Sequence, residues 1–162
     1  MKATSAKGFR DILPDEAAAR RCILTASASV LECYGFDEIE TPLLERAELF
    51  AGSVGETSDI VEKEMYAFED RDGSHLALRP EGTASVVRAY VERGLARSSP
   101  VAKLYYRGPM FRRERPQKGR FRQFTQVGAE LIGRDDPASD AETICLADDI
   151  CRANGVADVR IE

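Results

Sequence analysis

Apolar and polar positions follow two different periods along this chain. From Pro14 to Tyr34, the residues Ile23, Ser27, Val30, Leu31 and Tyr34 recur at three- and four-residue intervals, the spacing of one helical stripe. Pro14, Asp15 and Glu16 suit a helix start and Gly35 a helix end, so the pattern predicts a first helix over Pro14 to Tyr34. Phe36 to Glu40 then reads as a strand, stopped by Thr41 and Pro42, and Ala47 to Ala51 as a short helix. Gly52 to Asp59 is polar and has loop chemistry. Met65 to Glu69 and His75 to Arg79 flank Asp70-Arg71-Asp72-Gly73-Ser74, a hairpin whose turn can use a positive φ at Gly73.

The second half repeats this grammar. Val87, Tyr90 and Val91 share a stripe and Gly94 follows, which predicts a helix from Gly82 to Arg93. Val101 to Arg107 reads as a strand that breaks at Gly108-Pro109 and resumes over Met110 to Arg113. Arg115-Pro116-Gln117-Lys118-Gly119 is a turn-rich loop leading into a long strand from Phe121 to Leu131. Ser139-Asp140-Ala141-Glu142 has capping-box spacing for a last helix ending at Asn154-Gly155, and Val156 to Glu162 reads as the start of another strand. Local antiparallel pairings without regular βαβ alternation favour an α+β fold with an antiparallel sheet flanked by helices.

Composition permits such a fold: 162 residues with 43% hydrophobic content make one domain, burying roughly 70% of the extended surface. No apolar run approaches the roughly 18 residues of a membrane span, and the first residues lack a signal-peptide core, so the expected location is the cytoplasm and no membrane partner is expected. Cys22, Cys33, Cys145 and Cys151 include no Cys-x-x-Cys pair and are expected to be buried free thiols rather than disulfides or metal ligands; no metal site is expected. Charge is uneven. Lys103 to Gln123 holds eight basic residues and one acid, a local charge of +7 in a chain of net −5. Such a concentration suits a small polyanion, although charge alone favours a solvated positive face.

Strand parity sharpens the choice. Over Phe121 to Leu131 the even positions Arg122, Phe124, Gln126, Gly128 and Glu130 share one face, an aromatic plate, an amide and a carboxylate in a row, with Gly128 expected to leave room between the last two. A ligand with a flat ring and an ammonium group matches it, as does a solvated polar sheet face. In the preceding arm Arg112 and Glu114 can share a face, with Arg115, Lys118 and Arg120 at the loop mouth, an arrangement suited to a nucleoside triphosphate. There is no Walker loop and no G-x-G-x-x-G.

The run Tyr106-Arg107-Gly108-Pro109-Met110-Phe111-Arg112-Arg113-Glu114-Arg115-Pro116-Gln117-Lys118-Gly119-Arg120-Phe121-Arg122-Gln123-Phe124 resembles motif 2 of the class II aminoacyl-tRNA synthetases in its histidyl form. Lys7-Gly8-Phe9-Arg10-Asp11, Thr41-Pro42-Leu43-Leu44-Glu45 and Leu78-Arg79-Pro80-Glu81-Gly82-Thr83 fall in that family's order, with Pro42 as the proline closing motif 1. The resemblance implies a role for each residue. Arg112 would be catalytic, neutralising the ATP α-phosphate and the histidine carboxylate; Glu114 would accept from the adenine amino group, Phe124 would stack on adenine and Arg120 would hold outer phosphates. Glu81 and Thr83 would hold the α-amino group of histidine, and Gln126 and Glu130 would read its ammonium and imidazole groups. As capping groups of the helix that follows, Glu81 and Thr83 have an alternative reading. Mg2+ would accompany ATP, with no protein ligand assignable.

The reaction implied is attack of the histidine carboxylate on the ATP α-phosphorus, then transfer to histidine tRNA, which needs orientation and charge neutralisation rather than a general base. His75 is therefore expected to be structural or exposed. The resemblance covers residues 1–162 as the N-terminal portion of a catalytic domain, with motifs 1 and 2; motif 3 and the anticodon-binding domain are not seen, so activity of this portion alone is expected to be weak or absent. A homodimer is implied by motif 1 and by Ala17, Ala18, Ala19, Ala26 and Ala28 in the first helix. Two other functions fit the same family: a synthetase-like regulatory subunit of ATP phosphoribosyltransferase, and a non-catalytic dimerising module. The intact Arg-Pro-Gln-Lys-Gly-Arg loop favours the synthetase, since a paralogue relieved of ATP activation need not keep those cations.

Overall fold

The structure is a computed structural model that describes residues 3–51, 64–115, 117 and 119–160. The predicted loop over Gly52 to Asp59 lies outside the described residues, as do Pro116 and Lys118 of the basic loop. The chain divides into two units, each assembled from three stretches: Met1–Asp11, Glu40–Ala89 and Arg107–Gln126 form the first, and Ile12–Ile39, Tyr90–Tyr106 and Val127–Glu162 the second.

In the second unit, α1 (Pro14–Cys33) begins on a proline, whose fixed φ and missing N–H suit the first helical turn, and ends before Gly35. It is followed by β1 (Asp37–Glu38), which pairs in parallel with β5 (Ala102–Phe111), Asp37 opposite Leu104 and Glu38 opposite Tyr105. The core joins Ala28, Leu31, Phe36, Tyr105 and Leu146, with Val127, Ala129 and Leu131 of β6 (Gln123–Ile132) packed against it. The odd positions Val127, Ala129 and Leu131 thus share the face that meets this core, in keeping with the predicted parity. Fully burying a residue such as Leu31 stabilises the fold by about 1.5–3 kcal/mol. The last helix, α5 (Pro137–Ala153), is tied to α1 where the Tyr34 hydroxyl donates to Asp149 at 2.6 Å and Asn154 donates to Ser27 at 3.0 Å.

In the first unit, β2 (Leu44–Arg46), β4 (His75–Leu78) and β3 (Tyr66–Glu69) form an antiparallel sheet in that order, with Ala77 opposite both Glu45 and Ala67. The β3–β4 turn is the predicted one: Asp70 N donates to Ser74 O at 2.8 Å and Gly73 takes a φ of 83°. Phe50 from α2 (Glu48–Ala51), Met65, Ala77 and Ala84 of α3 (Thr83–Glu92) make its core. A short α4 (Leu95–Ser98) follows α3 in the stretch that belongs to the second unit.

Strands β5 and β6 run through both units in the sheet order β1-β5-β6. Arg112 N donates to Arg122 O, and Gly128 lies against Tyr106, so partner numbers rise on one strand as they fall on the other, which is the antiparallel sense.

Several expectations are corrected. The α+β class with antiparallel pairing holds, but among the described residues the strands divide into two three-stranded sheets, and β1 joins its sheet in parallel. Strand β5 does not break at Gly108-Pro109, because Pro109 requires no donor partner and its carbonyl accepts from Arg79. The cap of α5 is Asp136, not Ser139: Pro137 takes the first helical turn, and the Asp136 carboxylate accepts from the Ser139 backbone and hydroxyl at 3.0 and 2.9 Å. On α3 the buried residues are Ala84, Ser85, Val86 and Tyr90, so of the predicted stripe only Tyr90 is buried, while Val87 and Val91 are 44% and 70% exposed. Ile23 of α1 is likewise exposed, the buried stripe being Ser27, Ala28 and Leu31. The cysteines are free, but Cys22, Cys33 and Cys145 are exposed on helix positions off the buried stripes and only Cys151 is partly buried. Residues 156–160 carry no strand.

Candidate active site

Of the predicted site residues, Glu114 and Phe124 gather at Arg112, and Arg120 joins them through Glu114. Arg112 leaves the end of β5 with its guanidinium held at one corner: Nε donates to Pro80 O at 2.9 Å. The group also lies over the Phe124 ring, 5.1 Å from its centroid, and reaches Glu114 at 3.9 Å. Glu114 is 22% exposed and has a second guanidinium beside it, that of Arg120, at 3.4 Å. Arg120 is 67% exposed at the loop mouth. Two guanidiniums flanking one carboxylate next to an aromatic ring offer what a nucleotide needs: donors for phosphate oxygens, an acceptor for an exocyclic amine, and a stacking plate.

Glu81 and Thr83 stand at the start of α3. The Glu81 carboxylate accepts from the backbone N–H groups of Thr83 and Ala84, the latter at 3.0 Å, so it caps the helix. A carboxylate has about four acceptor positions, which leaves capacity for an ammonium donor beyond the cap. Thr83 is exposed and Gln126 half-buried on β6, in the same unit. Glu130 lies further along β6, in the stretch that belongs to the second unit, and is half-buried. His75 is exposed at the start of β4, as expected.

The space expected at Gly128 is filled. A Cβ added there would lie 2.3 Å from the Tyr106 ring and hydroxyl, and Tyr106 is itself buried, so this face of β6 carries a tyrosine that sequence parity missed. A glycine inside a strand is the signal that another group approaches closely, but it does not say which.

A second group that sequence reasoning missed supports the loop. The Arg122 Nε donates to Glu114 O and its NH1 to Lys7 O, each at 3.2 Å, while Arg122 N donates to Gly8 O at 2.9 Å. Arg10 stacks over Phe121 at 4.3 Å, and Phe9 meets Tyr66 with ring centroids 5.9 Å apart. Lys7-Gly8-Phe9-Arg10 thus clasps the Phe121-Arg122 foot of the basic loop, and Arg122 ties that foot to Glu114.

The geometry can be set beside proteins of known structure. The chain matches an apo histidyl-tRNA synthetase of S. aureus with a TM-score of 0.79 and 36% identity, over 94% of this chain and 35% of that one. It matches an ATP phosphoribosyltransferase regulatory subunit/histidyl-tRNA synthetase of Bacillus halodurans with a TM-score of 0.82 and 30% identity, over 96% of this chain and 39% of that one. The fold is part of a class II aminoacyl-tRNA synthetase catalytic domain. Among curated proteins, a histidine-tRNA ligase of Aquifex aeolicus is 52% identical over the whole chain and 40% of its own length. One of Desulfosudis oleivorans is 56% identical over 96% of this chain and 37% of its own length. The histidyl-tRNA synthetase family profile matches residues 8–162, and the chain belongs to that family. It spans well under half the length of these relatives.

Proposed function

We propose that this chain is the N-terminal, ATP- and histidine-binding portion of a histidine-tRNA ligase that works in the cytoplasm. The observation that carries the reading is the fixed Arg112 guanidinium, clamped by Pro80 O beside Phe124 and Glu114. Adenine stacks on Phe124 and donates its amino group to Glu114, and Arg120 takes the outer phosphates. Arg112 bridges the α-phosphate and the histidine carboxylate. Glu81 and Thr83 hold the α-amino group, and Gln126 and Glu130 the ammonium and imidazole nitrogens.

In the first step a carboxylate oxygen of histidine attacks the α-phosphorus, the bond to the bridging oxygen of pyrophosphate breaks, and histidyl-adenylate and pyrophosphate result. In the second, a tRNA hydroxyl attacks the activated carbonyl and AMP leaves. Two anions must meet in the first step, and a preorganised guanidinium lowers that barrier without a proton transfer. ATP enters as its Mg2+ complex; among the described residues no three or more His, Cys, Asp or Glu side chains converge, and no protein ligand is assigned to the ion. No described helix is long and apolar enough to cross a membrane.

Histidine-dependent exchange of pyrophosphate into ATP is the test. The chain is expected to bind ATP and to exchange far more slowly than a relative of full length, because ground-state contacts survive better than the full transition-state set. Exchange as fast as that of such a relative contradicts this division of labour.

A further inference from the structure

Arg79 is 2% exposed, an unusual place for a guanidinium. Its NH1 donates to Thr41 O at 2.9 Å and to Thr41 Oγ1 at 2.8 Å, and its Nε donates to Pro109 O at 3.1 Å. One side chain therefore joins the segment ending in Thr41-Pro42 to the backbone of β5. The fit is tight on the strand side, where a Cβ on Gly108 would stand 2.6 Å from Arg79 NH2. The backbone continues the same seam: Phe111 N donates to Arg79 O at 3.0 Å, and the next carbonyl, Pro80 O, receives Arg112 Nε.

We propose that Arg79 is a positioning residue for Arg112: by locking Thr41 and Pro109 to the Arg79-Pro80 segment, it fixes the Pro80 carbonyl against which the Arg112 guanidinium is oriented. All of these groups lie in the first unit. That the oriented guanidinium then serves a phosphate rests on the function proposed above.

The test reads Arg112 directly. In the 15N-labelled chain the Arg112 Nε–Hε resonance is assigned by its loss in Arg112→Lys, and its exchange with water is compared with that of Arg122, whose Nε donates to Glu114 O. In Arg79→Lys, which keeps the charge but cannot span Thr41 and Pro109, Arg112 Hε exchange is expected to accelerate about tenfold or more, the equivalent of one ordinary hydrogen bond, while Arg122 Hε is unchanged. Gly108→Ala drives a methyl group into the intact guanidinium and is expected to do the same, so it decides the matter if Arg79→Lys does not fold. Unchanged Arg112 exchange in a folded variant, or equal acceleration at Arg122 and Arg112, overturns the proposal. No nucleotide enters this measurement. A parallel titration with MgATP separates the two readings: wild-type chain that does not bind ATP tells against the proposed function alone, and Arg112 exchange still decides the role of Arg79.

Discussion

Glu114 stands between two guanidiniums, and in the proposed site its carboxylate also receives the adenine amino group. Glu114→Gln keeps the shape and removes the charge, so ATP affinity is expected to fall roughly ten- to a hundredfold, the range of a charge-assisted hydrogen bond. Titration calorimetry checks it, and an unchanged affinity would remove Glu114 from the site. Glu130→Gln is expected to weaken histidine binding over the same range with little change in melting temperature; a large fall in melting temperature with intact affinity would make Glu130 a structural partner instead. Gly128 offers a different kind of test. Its missing Cβ is filled by the Tyr106 ring, so Gly128→Ala forces a shift costing about 1–3 kcal/mol. If the ring is the cause, adding Tyr106→Leu restores part of the loss, a non-additivity that a thermodynamic cycle measures.

Three groups titrate in ways that bear on their elements. The Tyr105 phenol on β5 is pushed up to about 12 by burial first and by its bond to Glu32 second, at 3.0 Å. Tyr34 is also pushed up to about 12, here chiefly by its bond to Asp149. Both shifts favour the protonated phenol, so their contribution to stability is full below about pH 10 and is lost as pH rises towards 12. In an ultraviolet titration Tyr34 and Tyr105 should ionise late, and Tyr105→Phe should remove one late-titrating phenol; a titration curve unchanged by Tyr105→Phe above pH 10 would contradict the geometry. The Asp136 cap has the opposite sign. Ser139 holds its carboxyl below the ordinary range, so its support of α5 is present above about pH 4 and is lost as pH falls through the lower folded value.

Local chemistry made α1, the β3–β4 hairpin and α3 legible, since proline, glycine and spacing act within a few residues. Strand β2 and the helix α4 are too short to carry a period, and the buried face of α3 depended on neighbours distant in sequence. In the site, Arg112, Glu114, Arg120 and Phe124 were legible from one contiguous motif. Tyr106 over Gly128, and Arg79 across Thr41 and Pro109, were not, because each contact is made only when strands pair.

At the scale of the whole molecule, the long first helix bears on assembly. Ala28 is buried in the core of its own unit, so of the five alanines it is not available to a partner, while Ala19 is exposed and Leu13 is 68% exposed. We expect a symmetric homodimer in sedimentation at micromolar concentration; a strict monomer would leave the motif 1 resemblance without an interface. The central claim is that this chain carries a nucleotide site organised by Arg112. Calorimetric titration of MgATP into the wild-type chain and into Arg112→Gln, with melting temperatures recorded for both, tests it most directly. The account predicts binding by the wild type, at least about tenfold weaker binding by the variant, and little change in melting temperature. Equal affinities in two folded proteins, or no binding by the wild type, would contradict it.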